Sequence, residues 1–256
     1  MRIIFKCLLF FAFYSLNSSI YAQLVNIESQ RMQTDSIRFV LKNDFSFSYN
    51  NNDGSYLYQI SNGLSSQLKS KDLKKIYFLI GNYDLIRSSD QDFRNSWMLH
   101  FRFNYKLNEL FRLESFIQSQ HNELLYINRR NLVGAGVRFK IISKENVSLY
   151  IANASMYEEE KSKTLDKRFY HLRNSSYLSF TATISKSNVK ILNTIYFQPL
   201  YKSISNHRIL EQLKIEVPIN KHLNLNSMFN YYYDSKTPDN NKQYSANISV
   251  GIGFQL

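Results

Sequence analysis

The last thirteen residues, YSANISVGIGFQL, alternate without a break. Tyr244, Ala246, Ile248, Val250, Ile252, Phe254 and Leu256 are apolar, while Ser245, Asn247, Ser249, Gly251, Gly253 and Gln255 between them are small or polar. Successive side chains of a strand point to opposite faces, so this segment carries one continuous apolar face and one polar face. The same period recurs in WMLHFRFNYKL, where Trp97, Leu99, Phe101, Phe103, Tyr105 and Leu107 oppose Met98, His100, Arg102, Asn104 and Lys106. Strands of soluble sandwiches are typically about five or six residues long. The runs here reach about ten or more, the length of a tilted strand that crosses a bilayer.

About twelve such runs are legible, at 36–49, 56–69, 75–87, 97–107, 110–120, 130–142, 147–157, 170–185, 189–199, 207–217, 222–233 and 243–256. The third is ambiguous in phase, because Ile76, Phe78 and Ile80 compete with Tyr77, Leu79, Tyr83 and Leu85. Longer connections (NNDGS, SSDQDFRNS, HNELLYINR, EEEKSKTLDK, LYKSISN, SKTPDNNK) alternate with shorter ones at 71–74, 108–110, 143–146, 186–188 and 218–221, which places them on opposite ends of the sheet. An even strand number with asymmetric connections is the pattern of an outer-membrane barrel with short periplasmic turns. In lipid every backbone hydrogen bond must be made internally, and a sheet achieves that only by closing. The expected fold is therefore all-β: a single closed antiparallel transmembrane β-barrel of about twelve strands over 36–256. The alternating segment that ends in Phe254 and Leu256 resembles the hydrophobic C-terminal signal by which such barrels are recognised for insertion.

The first residues, MRIIFKCLLFFAFYSLNSSIYAQ, have a basic start (Arg2, Lys6), an apolar run from Cys7 to Leu16 and a polar stretch ending in Ala22. This reads as a signal peptide over 1–22, followed by a short periplasmic N-terminal segment at 23–35. Cys7 is the only cysteine, so a processed chain has no disulfide, thiol catalyst or cysteine-ligated metal. The net charge of +12 comes without a compact basic motif in an exported chain, which argues against nucleic acid as a partner. Tyr and Phe number 19 each, suiting a protein with two membrane interfaces.

From Trp97 onward the segments WMLHFRFNYKLNELFRLESFIQSQHNELLYINRRNLVGAGVRF, SMYEEE, RNSSYLSF and IYFQP resemble, in order and spacing, the DUF481 family of bacterial outer-membrane proteins, the YdiY-like salt-induced proteins. The resemblance covers most of the chain, more weakly before Trp97, and the composition resembles members from Bacteroidetes. It implies a barrel integral to the bacterial outer membrane. The partners expected there are outer-membrane lipid, lipopolysaccharide and the barrel-assembly machinery. The family implies no particular reaction.

Carried onto the alternation, the polar residues give one consistent face. His100, Arg102, Asn104, Arg112, Glu114, Gln118, Gln120 and Arg138 oppose the apolar side and should line the lumen, as should Gly134, Gly136, Gly251 and Gly253. Arg38, Lys42, Asp44, Lys190, Arg208, Lys214 and Glu216 are expected there too. If Leu107 pairs with Phe111 across its turn, Arg102 faces Phe116 and lies diagonal to Glu114. Two readings of this interior are open. One is a narrow passive channel for small, anionic solutes, whose fixed positive charge concentrates anions. The other is a non-conducting structural or stress-related envelope barrel, its lumen plugged by paired polar side chains, since a barrel of about twelve strands is narrow enough to fill.

The short-turn end is rich in basic residues (Lys69, Lys71, Lys74, Lys75, Lys106, Arg112, Lys140, Lys144, Lys186, Lys190, Lys214, Lys221), against Asp72, Glu109, Glu145 and Glu216, and suits a periplasmic polyanion such as peptidoglycan. An outer-membrane lipid-modifying enzyme is the third function considered. No histidine is followed two places on by serine, and His171 and Ser175 would stand about 13 Å apart along a strand. His121–Glu123 is a lone pair of ligand types, and EEEKSK lacks the acid spacing of a calcium loop. No catalytic residue, cofactor or metal is therefore expected.

Overall fold

The computed structural model describes residues 37–256, apart from 53–54, 89–90, 124, 166 and 238–243. The signal-peptide and N-terminal-segment assignments lie outside the described residues. Twelve strands follow in order: β1 (Phe39–Asn52), β2 (Ser55–Lys69), β3 (Lys75–Ser88), β4 (Gln91–Lys106), β5 (Phe111–Asn122), β6 (Ile127–Lys144), β7 (Val147–Ser162), β8 (Arg168–Ile184), β9 (Val189–Leu200), β10 (Ser203–Pro218), β11 (Leu223–Asp234) and β12 (Tyr244–Gln255). Each pairs antiparallel with its sequence neighbours, and β12 pairs with β1, so the sheet is a closed barrel as expected. Among the described residues there is no helix.

The outside is apolar because that is the face the alternation supplies. Phe45, Leu64, Leu99, Ile117, Val133 and Ile252 are exposed there. Lysine or arginine on this face at mid-bilayer would cost about 2–4 kcal/mol each. Where polar side chains do face outward they satisfy one another: Asn43 and Asn62 exchange amide hydrogen bonds at 3.3 and 3.2 Å, and Asn193 donates to Glu211 at 3.2 Å. Aromatic pairs gather toward the two ends of the strands. Tyr77 packs on Phe103 and Phe111 on Phe139 near the short turns, and Tyr157 on Tyr170 near the opposite end. That is the placement of interfacial girdles.

The short turns are fixed by local polar contacts. Between β2 and β3 the Ser70 hydroxyl donates to Asp72, and the Lys74 amide donates to the same carboxylate at 3.1 Å. Led by the Ser70 contact, these hold the Asp72 carboxyl below its usual range. Between β4 and β5, Asn108 accepts from the amides of Leu110 and Phe111 at 2.9 and 2.8 Å.

One expectation needs correction. The strands outlast the apolar alternation at the long-connection end. β4 starts at Gln91 and β7 runs to Ser162, so most of SSDQDFRNS and the first half of EEEKSKTLDK are strand. The ladder continues in register there, with Glu158 opposite His171 and Glu160 opposite Phe169. Backbone pairing does not require an apolar outward face. Beyond the hydrocarbon band that face turns polar, as at Glu159 and Lys161, and the sequence signal disappears while the hydrogen bonds persist. The phase of β3, open in the sequence, is decided in the structure: Ile76, Phe78, Ile80 and Ile86 turn inward, all buried, and Tyr77, Leu79 and Tyr83 stand outside and exposed. Both of its faces are apolar, so one wall of the interior is greasy rather than polar.

Candidate functional site: an ion-paired lumen

Alternation fixes which side chains enter the barrel, and all eight polar residues assigned to the lumen by sequence are buried there: His100, Arg102, Asn104, Arg112, Glu114, Gln118, Gln120 and Arg138. Leu107 donates its amide to the Phe111 carbonyl at 3.0 Å, which sets the β4–β5 register so that Arg102 faces Phe116 and Asn104 faces Glu114. Glu114 is the hub of this central tier. It lies 3.5 Å from Arg102 Nη1 and 3.6 Å from Arg138 Nη1, and it accepts the Tyr177 hydroxyl at 2.9 Å from β8. The Arg138 guanidinium stacks on the Tyr150 ring at 3.8 Å, a cation–π contact out of water. Arg102 sits 5.5 Å from the Phe116 ring centre and 5.9 Å from that of Tyr177. A second polar string runs beside it: His100 Nδ1 lies 2.9 Å from Gln118 Oε1, and Gln118 donates to Gln120.

The inward glycines make room for neighbours. A Cβ on Gly134 would enter the Phe116 ring, and one on Gly136 would strike the Asn153 carbonyl and Ala154. On Gly251 it would meet the Phe45 carbonyl and Ser46, and on Gly253 the side chains of Asn224, Asp44 and Asn226. These positions allow close packing across the wall.

Toward the long-connection end stands a tier that sequence reasoning missed apart from Arg208. Arg208 on β10 reaches Glu158 at 2.5 Å, Asp234 at 2.6 Å and Glu160 at 3.0 Å. Arg130 on β6 meets Glu160 at 2.7 Å, and Arg173 on β8 lies 3.6 Å from Glu158. The Tyr232 hydroxyl donates to Asp234 at 3.1 Å. Three guanidiniums thus meet three carboxylates, and none of the six side chains is more than 4% exposed. The signal that would have found them is parity: continuing the β7 alternation past Tyr157 sends Glu158, Glu160 and Ser162 inward.

Between β1 and β10, which β11 and β12 separate along the wall, the pattern repeats with lysines. Lys214 lies 2.9 Å from Asp44 and 3.0 Å from Glu216, Lys42 bonds to Glu216, and Asn226 donates to Asp44 at 2.7 Å. Lys190 is half-buried nearby, whereas Arg38 is exposed at the barrel end, with its Nε 3.5 Å from the Lys69 carbonyl. Phe254 and Leu256 are exposed on the outer face beside β1.

The remaining candidates stay apart. His121 Nε2 is 4.0 Å from Glu123, but Glu123 accepts from Lys163 at 2.8 Å and from the Asn95 amide at 3.0 Å, and the His121 ring bonds to the Asn128 carbonyl. Among the described residues no three His, Cys, Asp or Glu side chains converge as metal ligands. His171 stacks on Phe169, and the serines nearest it in sequence take other partners: Ser175 accepts from Gln198 and Ser176 donates to Asn174.

A closed antiparallel barrel with an apolar exterior and a charged, internally paired interior defines the class of membrane-spanning β-barrels. Within that class the chain belongs to the DUF481 family, described as "Protein of unknown function, DUF481", whose model matches residues 64–256. No curated protein is similar to it. Among solved structures it is similar in fold to the COG4313 outer membrane channel from Pseudomonas putida F1, with 7% identity, 91% of this chain and 99% of that one covered, and a TM-score of 0.53. It is also similar to the NanC porin, with 8% identity, 85% and 100% coverage and a TM-score of 0.51.

Proposed function

We propose that the protein is an integral barrel of the bacterial outer membrane whose lumen is held shut by paired charges, and that it acts as a non-conducting envelope barrel rather than an open pore. The observation that carries this reading is Arg208. Its guanidinium joins carboxylates of β7 and β11 from a third strand, and all of these groups have been taken out of water. Charges lining a water-filled filter keep their hydration, because conduction needs an ion to enter and leave easily. The location is supported by the apolar outer face and by the closure of the sheet, which leaves no edge to be satisfied by water.

A second reading, a narrow passive channel for small anions, is favoured by one feature: a cationic cavity of 160 Å³ at the short-turn end. Single-channel recording of refolded protein in a planar bilayer separates the two. The closed barrel gives a silent baseline, and Arg208→Ala, which opens the paired tier to water, adds conductance. Steady anion-selective steps from the wild-type protein would replace this reading with the channel.

A further inference from the structure

The cavity at the short-turn end is built from cations. Lys69, Arg112, Arg138, Lys140, Lys144 and Lys190 line it, against the single carboxylate of Glu145. Such a surplus would be ordinary on a hydrated rim, but two of these side chains are not at the rim. Arg112 and Arg138 are both buried, and they are directly opposed residues of β5 and β6. Like charges directly across a ladder repel. Arg138 shares Glu114 with Arg102, so one carboxylate serves two guanidiniums. Arg112, 8% exposed, has an Nε without a hydrogen-bond acceptor among the described residues, and its guanidinium lies 5.8 Å from the same Tyr150 ring that Arg138 covers. A buried N–H donor without an acceptor is costly, and an oxygen supplied from outside removes that cost.

Beside them the β6 ladder shifts register between Lys140 and Ile142, a bulge of the kind that re-aims side chains next to binding sites. The Arg138–Tyr150 stack is part of the cavity's lining. Its 160 Å³ is small against the roughly 300–1,000 Å³ of sites that enclose a whole small molecule. It has room for a head group and several waters at about 30 Å³ each.

We infer that this vestibule binds a small doubly charged oxyanion, a phosphate or the phosphate head of a soluble solute, entering from the short-turn side and held between Arg112 and Arg138 with the lysines at its mouth. Arginine forks suit tetrahedral oxyanions because two parallel N–H donors meet two oxygens. That the anion is held rather than passed on rests on the closed-lumen reading above; the site itself does not.

The test is equilibrium dialysis of full-length refolded protein with radiolabelled inorganic phosphate, at an ionic strength fixed with chloride so that screening is constant. Saturable binding at one site per chain is expected. Arg112→Gln should weaken it by roughly tenfold or more, Arg112→Lys less so, and Arg168→Gln, exposed at the opposite end beside Glu159, not at all. Heat-modifiable migration checks that each variant is folded. Should Arg112→Gln not fold, Lys144→Gln, exposed at the mouth, must lower the affinity instead. Absence of saturable phosphate binding, displacement by chloride at equal ionic strength, or indifference to both substitutions overturns the proposal. Conductance by the wild-type barrel would sink the closed-lumen reading while leaving the dialysis result standing, so the two failures are distinguishable.

Discussion

Arg208 on β10 and Glu158 on β7 meet at 2.5 Å inside the barrel, three strands apart around the wall. Glu158 is also the one carboxylate within 4.0 Å of Arg173 among the described residues, whereas Arg208 keeps Asp234 and Glu160 as further partners. Glu158→Gln should therefore destabilise the barrel by about 3–5 kcal/mol, the usual cost of orphaning a buried charge. Arg208→Met should cost more, since it leaves Glu158, Glu160 and Asp234 facing one another with fewer cations. Urea unfolding midpoints in detergent report both. A Glu158→Gln variant within about 0.5 kcal/mol of wild type would mean that water reaches this tier.

Glu114 is shared three ways, by Arg102, Arg138 and Tyr177. Glu114→Gln is expected to cost about 3–5 kcal/mol, and adding Arg102→Met should recover only part of it because Arg138 loses the same carboxylate. A double-mutant cycle should give a coupling of about 0.5–3 kcal/mol. Zero coupling would place the two charges in separate, solvated environments.

The inward glycines differ in what blocks them. At Gly134 a methyl group meets the Phe116 ring, which can rotate aside, whereas at Gly136 it meets the Asn153 carbonyl and the Ala154 backbone, which cannot. Gly134→Ala should thus be tolerated with a small loss, and Gly136→Ala should cost the upper part of the about 1–3 kcal/mol range for overpacking. Thermal midpoints of the two variants check the order, and equal losses would contradict it.

The β1–β12 seam is the thinnest joint. Its register holds five pairs, from Lys42–Gln255 to Ser46–Gly251, where β1 and β2 hold fourteen. Beyond those pairs, Leu41 and Leu256 exchange backbone hydrogen bonds at 3.2 and 2.9 Å. Deleting 254–256 removes that exchange and the Phe254 and Gln255 pairings. The deletion should abolish the compact, heat-modifiable form on gels, and unaltered migration would show that closure does not depend on these residues.

Surface digestion should be narrower than the sequence pattern implies. Of the basic residues in EEEKSKTLDK, Lys161 is in β7 while Lys163 and Lys167 are exposed in the connection. Trypsin added to intact cells should cut after Lys163 or Lys167 and spare Lys144 and Lys186 at the other end. Cleavage first at Lys144 or Lys186 would invert the proposed orientation.

Parity made most of the architecture legible. Wherever the outward face meets lipid, a strict apolar–polar period states which side chains enter the barrel, and the β4–β5 register followed from one turn. The same logic fails where its physical cause is missing. In β3 both faces are apolar, so Ile76 and Phe78 could not be told from Tyr77 and Leu79 by pattern. Past Tyr157 the outward face leaves the hydrocarbon, and Glu158 and Glu160 read as loop. The partners of Glu158 lie on β6, β8 and β10, separated by stretches of chain that no local pattern connects. The opposed Arg112 and Arg138 were both assigned inward, but only the β5–β6 register places them side by side.

The topology also sets the order in which the molecule can be put together. Eleven of its twelve strand pairings join consecutive strands, so each can zip from its own turn as the chain is delivered. The twelfth brings Lys42 to Gln255, nearly the whole described length of the chain. Loop-closure entropy has to be overcome there before any contact repays it, which makes this the slow, non-local event in folding. Until it happens the growing sheet has two bare edges. A catalyst of assembly therefore has one task on this chain, to hold the β1 edge until β12 arrives.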